Sequence, residues 1–180
     1  MKKRLPALLL AAAVLAADLV TKALVFGWFE RRGIREGEVV WLAGDWFGFA
    51  RVMNPGVTGG MGSFLGPTLL SVFTLLASIG IALYIFLPRR HDRWTLVALA
   101  LILGGAIGNL YDRLRFGEVR DFIDVWPRLS WPSWLHHWPT FNIADSCIVA
   151  GVAMLVFHSL FLHRKRAETA TESEDEPEEK

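Results

Sequence analysis

Apolar residues in this chain fall into four blocks separated by polar stretches. The blocks cover about residues 5–29, 66–87, 94–114 and 143–162. A bilayer-crossing helix needs ~20 mostly apolar residues, and each block has that length. The pattern predicts a mainly α-helical membrane protein, a bundle of four transmembrane helices. Between the first two blocks lies EVVWLAGDWFGFARVMNPG, in which Val, Trp and Phe alternate loosely with Gly and Asp. It reads as short strands at the membrane surface, so a small extracytoplasmic β-sheet is expected between spans one and two. The following NPGVTGGMGSFLGP is too rich in Gly and Pro for a regular element.

Composition agrees with the pattern: 53 % of the 180 residues are hydrophobic. Residues 1–166 read as one four-span domain. Residues 167–180, AETATESEDEPEEK, read as a disordered, solvated acidic tail. Net charge is only +1, which gives no basic field for nucleic acid. The cations are nevertheless clustered. Lys2, Lys3 and Arg4 precede span one, Arg89, Arg90 and Arg93 link spans two and three, and Arg164, Lys165 and Arg166 follow span four. Four crossings put all three clusters on one side. The positive-inside rule makes that side cytoplasmic, with both termini inside and the two long loops outside. Arg31, Arg32, Arg51 and Arg128 in those loops weaken the bias without reversing it.

The N-terminus resembles a cleavable signal peptide, but its apolar run continues to Phe29, a full span. No Cys lies near the would-be cleavage point, so the chain does not read as a lipoprotein precursor. The one cysteine, Cys147, lies inside span four and forms no intramolecular disulfide. Trp126, Trp131, Trp134 and Trp138, interleaved with prolines, read as an interfacial anchor rather than a base-stacking platform.

Ionisable residues inside spans are expensive and need a reason. Asp18 and Lys22 are four apart on one face of span one and can pair. A self-neutralising structural pair explains them, and so does a buried pair supporting a polar cavity. Asn109, Asp112 and Arg113 share a face at the outer end of span three. They fit a helix-end cluster, with Asp112 contacting Arg113 or Arg115, or a cavity lining that binds something polar. Asn142 can cap span four, with Asp145 in its first turn. Capping accounts for both. The alternative makes Asp145 half of a carboxylate pair, met by Asp121 or Asp124. Two close carboxylates share a proton, and such a pair activates water against an amide. The histidines show no metal-ligand spacing, and Ser63, Ser146 and Cys147 have no activating context.

Five motifs stand in order: Asp18-LVT-Lys22, Asn54-P-Gly56, GGAIGNLYDR, GEVRDFID and FNIADS. Together they resemble the lipoprotein signal peptidases, the bacterial type II signal peptidases, from span one to the end of span four. The resemblance implies an intramembrane aspartic endopeptidase of the bacterial cytoplasmic (inner) membrane. Such an enzyme cuts prolipoproteins before a diacylglyceryl-modified cysteine, near the outer face. It implies Asp121 and Asp145 as the catalytic pair. Asn54, Gly56, Asn109, Arg113, Asn142 and Ala144, with Asp18 and Lys22, are implied as substrate-binding or supporting residues. Asp124 is implied to be dispensable. The resemblance implies no metal or cofactor, and as partners diacylglyceryl prolipoproteins and membrane lipid, but no nucleic acid, with the protein itself a monomer. Two features depart from the family pattern: Val-Thr58-Gly59-Gly-Met follows Asn-Pro-Gly, and segment 126–139 is long. A non-catalytic transporter or assembly factor, or an inactive relative, is the competing reading. The chain shows no internal repeat of the kind transporters carry.

Overall fold

The computed structural model describes residues 4–56, 66–87, 92–126 and 138–162. In chain order these form α1 (Arg4–Arg32), β1 (Val39–Ala43), β2 (Phe47–Asn54), α2 (Gly66–Phe86), α3 (Arg93–Phe116), β3 (Val119–Val125) and α4 (Ile143–Phe157). A short π-helical segment, His158–Leu162, continues α4. The VTGGM run, most of the Trp-rich segment and the acidic tail lie outside the described residues.

All four helices, α4 taken with its continuation, are long and apolar enough to cross a membrane. α3 is the axis of the bundle and packs on α4, α1 and α2. Small residues allow this. A Cβ on Gly105 would lie 2.5 Å from the Ala144 carbonyl oxygen, so α3 and α4 touch backbone to backbone there. Opposite faces are apolar and outward. Leu76 and Leu83 of α2 are 62 % and 63 % exposed. A helix that is apolar all round suits lipid, not water.

One end of the bundle gathers the start of α1, the end of α2, the start of α3 and the end of α4. Arg4 donates to the Phe86 and Leu87 carbonyls at 3.0 and 2.7 Å, and the Trp94 indole N–H donates to the Met154 carbonyl at 2.8 Å. Successive helices therefore alternate in direction.

The other end carries an antiparallel sheet in the order β1-β2-β3. Here the structure differs from expectation. The sheet does not lie wholly between spans one and two, because its third strand comes from the segment between α3 and α4. Gly117 makes this possible. Its φ of 80° ends α3, its N–H donates to the Arg113 carbonyl at 2.9 Å, and the chain turns directly into β3. In the β2–β3 register Val52 faces Asp121 and Asn54 faces Val119. Phe26 and Phe29 of α1 pack with Phe122 and Phe49 under the sheet, the last two edge-to-face at 5.6 Å. Trp41, Trp46, Trp126 and Trp138 are exposed along the rim.

Candidate active site

The site is built on the first turn of α4. Asn142 caps that helix: its side-chain carbonyl accepts the Asp145 N–H at 2.9 Å, and Asp145 Oδ2 accepts the Asn142 N–H at 3.2 Å. This capping box satisfies two free donors of the helix start. It also fixes the Asn142 amide. With its oxygen used by the cap, its NH2 group turns to Asp121 Oδ1 at 2.6 Å and to Asn109 Oδ1 at 3.1 Å.

Asn109 is fixed by the same logic. Its oxygen accepts from Lys22 Nζ at 2.9 Å as well as from Asn142, so its NH2 group donates to Asp145 Oδ1 at 2.7 Å. Asn54, at the end of β2, donates to Asp121 Oδ2 at 2.8 Å and accepts the Gly56 N–H at 3.0 Å. Thus Asp121 and Asp145 arrive from different elements, β3 and α4. Asn142 bridges them, giving its side chain to one and its backbone to the other. No single covalent segment could set this spacing, which is why the sequence alone did not show it.

Arg113 reaches over from α3. Its Nη2 donates to the Gly56 carbonyl at 3.0 Å, and its buried Nε has no hydrogen-bond partner among the described residues. Together Asn54, Gly56, Asn109, Arg113, Asp121 and Asp145 line one end of a cleft of about 750 Å³. Apart from Thr74, the rest of its wall is apolar, drawn mainly from Leu69, Leu70, Phe73 and Ala77 of α2, Ile102 and Ala106 of α3, and Ile148 and Val149 of α4.

Burial, reinforced by the charge of Asp145, pushes the Asp121 carboxyl from 3.8 up to about 7. The hydrogen bonds from Asn54 and Asn142, and the charge of Lys22, pull against this rise. Near neutral pH, Asp121 therefore has a real population of both protonation states, as acid–base chemistry requires. Among the described residues no three of His, Cys, Asp or Glu come together as a metal site would need.

Asp18 and Lys22 pair at 2.7 Å, fully buried, behind the site rather than in the cleft. Asp18 Oδ1 accepts the Ala144 N–H at 3.0 Å, and Gly108 makes room, since a Cβ there would lie 2.5 Å from Asp18 Oδ2. Asp112 corrects expectation. It is not a solvated neighbour of Arg113 or Arg115; it is fully buried and bound to Arg120 and Lys22. Arg120 was not singled out by sequence. The available signal was strand alternation, which turns Arg120 and Phe122 away from the face that carries Asp121. Asp124 shares that far face and is buried.

The chain matches the family described as Signal peptidase (SPase) II over residues 10–161. It is 40 % identical over 156 residues to a lipoprotein signal peptidase of Moorella thermoacetica, covering 87 % of this chain and 93 % of that one. It is 38 % identical over 163 residues to the lipoprotein signal peptidase of Chlorobaculum tepidum, covering 88 % and 97 %. A bacterial membrane enzyme solved by the in meso method superposes with a TM-score of 0.70 at 25 % identity, over 97 % of this chain and 94 % of the other.

Proposed function

This chain belongs to the signal peptidase II family, and we propose that it removes signal peptides from diacylglyceryl-modified prolipoproteins by aspartic chemistry, with Asp121 and Asp145 as the catalytic pair. The observation that carries the reading is the Asn142 bridge between two carboxylates at the polar end of an apolar cleft. The pair holds one proton between its two members and titrates as a unit. The ionised member takes a proton from water as the water oxygen attacks the scissile carbonyl carbon. The protonated member delivers its proton to the carbonyl oxygen. As the resulting gem-diol collapses, one hydroxyl proton returns to the ionised carboxylate, the C–N bond breaks, and the amine nitrogen takes the proton that the other carboxyl drew from water. The signal peptide leaves with a new carboxylate, and the lipidated cysteine gains a free amino group.

The unpartnered Nε of Arg113, beside the Gly56 carbonyl, is a donor for a substrate backbone carbonyl. The apolar cleft walls let the substrate enter from the bilayer with its acyl chains still in lipid. Clustered cations at the termini favour a topology with both ends in the cytoplasm, which would put the pair near the outer face of the cytoplasmic membrane. One chain supplies every residue of the site, so a monomer suffices for the reaction. The 1–166 segment is the working domain.

Mass spectrometry of the products tests the reaction. Incubation of purified protein with a diacylglyceryl prolipoprotein in H2(18)O should yield a chain beginning with the lipidated cysteine. One heavy oxygen should appear in the released peptide's terminal carboxylate. No cleavage, or cleavage elsewhere, contradicts the proposal.

A further inference from the structure

Behind the Asp121–Asp145 pair runs a row of alternating charge, none of whose members lines the cleft. Asp18 Oδ2 meets Lys22 Nζ at 2.7 Å, Lys22 Nζ meets Asp112 Oδ2 at 3.3 Å, and Asp112 Oδ1 meets Arg120 Nη2 at 2.7 Å. The first three side chains are fully buried, and that of Arg120 is 12 % exposed. Two acids and two cations leave the row neutral as a whole. Burying charges in this number is tolerable only because each is paired.

Each end of the row holds backbone next to one of the two carboxylates. At one end Asp18 grips the N–H of Ala144, the residue before Asp145. At the other stands Arg120, the residue before Asp121. Its side chain donates to Asp112, and its own backbone N–H donates to Asp112 Oδ2 at 3.0 Å. In the middle, Lys22 fixes Asn109, which holds Asp145. The Arg120 guanidinium lies 4.6 Å from the centre of the Phe116 ring and 5.9 Å from that of Phe26, so its head is confined.

We propose that Asp112 and Arg120 are positioning residues: with Asp18 and Lys22 they complete a neutral buried row that sets the spacing of Asp121 and Asp145 and balances the field across them. The inference rests on the assignment of that pair as catalytic. The charged groups around the pair are Asp18 and Lys22 from α1, Asp112 and Arg113 from α3, and Arg120 from β3, with Asp124 on the far face of the same strand. A mere clamp would weaken in the same way whichever end were cut. A balanced row responds with opposite signs. Without Arg120 it carries one excess negative charge, which favours the protonated form of Asp121. Without the Asp112 charge it carries one excess positive charge, which favours the ionised form.

The test uses the full chain in lipid nanodiscs as wild type, Arg120→Met, Asp112→Asn, the double variant and Arg120→Lys. Two quantities are read: the titration midpoint of the Asp121 carboxyl infrared band, identified by its loss in Asp121→Asn, and kcat and KM on a diacylglyceryl prolipoprotein. Arg120→Met should raise the midpoint above that of wild type, and Asp112→Asn should lower it. The neutral double variant should return towards wild type. Each single change should lower kcat roughly ten- to a hundredfold with KM little altered. The double variant should lose less than the product of the two, and Arg120→Lys should keep most of the rate. Shifts of the same sign, absent shifts or multiplicative losses overturn the row. If a single variant fails to fold, the double variant still decides, since a shifted midpoint or an unfolded protein there overturns the proposal. If wild type does not cleave, the proposed function fails, while the infrared midpoints still test the row.

Discussion

Asn142 does two jobs with one side chain, and variants can separate them. Its oxygen caps α4, and its NH2 group holds Asp121 and Asn109. Asn142→Ser keeps a capping oxygen but cannot reach Asp121, whereas Asn142→Ala loses both functions. The serine variant should therefore be more stable than the alanine variant by about 1 kcal/mol, the usual worth of a cap, in thermal unfolding. Both should lose cleavage. Asp124 supplies the contrast. It is three residues from Asp121 but sits on the opposite face of β3, so Asp124→Asn should keep cleavage near the wild-type rate. Asp121 itself sets a pH dependence. Its carboxyl, raised from 3.8 to about 7, binds a proton more tightly in the folded chain than in the unfolded one. Stability from this group is full below about pH 4 and is lost as pH rises through about 7. Cleavage should fall over the same upper range as the shared proton leaves. Asp145→Asn removes the neighbouring charge and should lower the Asp121 midpoint, which the infrared titration reads directly.

At the scale of elements, close helix contact is the most vulnerable feature. Gly105 lets α3 meet α4 where Asp145 begins its helix. Gly105→Ala would force its Cβ against backbone, not a movable side chain. Overpacking of this kind costs typically ~1–3 kcal/mol, and here it should also displace Asp145, so both thermal midpoint and rate should fall. The helices themselves were legible because a span needs a long apolar run and each run is unmistakable. β3 was not. VRDFIDV carries carboxylates on both faces, and each face holds fully buried residues. The in–out alternation that announces a strand is therefore masked. The same strand hid the partner of Asp112. Arg120 lies eight residues on, beyond the Gly117 turn, and helical spacing from Asp112 pointed to Arg113 and Arg115 instead.

For the whole molecule, the motif order in the sequence pointed to the family and to residues that the structure brings together, but not to the depth of the cleft or to what stands behind it. Those depend on α2, α3 and α4 walling one cleft together and on α1 packing against α3 and α4 outside it. The cleft runs from the carboxylates down to Ala77 and Ile102, about two helical turns into the apolar region, or ~10 Å. A bulky residue there should obstruct the substrate and leave the chemistry alone. Ala77→Trp should raise KM for a lipidated substrate several-fold while the pH dependence of kcat stays at wild type.

The central claim is that two carboxylates, Asp121 and Asp145, perform the cleavage together. Single-turnover cleavage of a diacylglyceryl prolipoprotein by folded wild type, Asp121→Asn and Asp145→Asn tests it most directly. Either substitution should lower the rate by about a hundredfold or more, the usual scale of a lost acid–base group. A rate near wild type in either variant, with the fold intact, would contradict it.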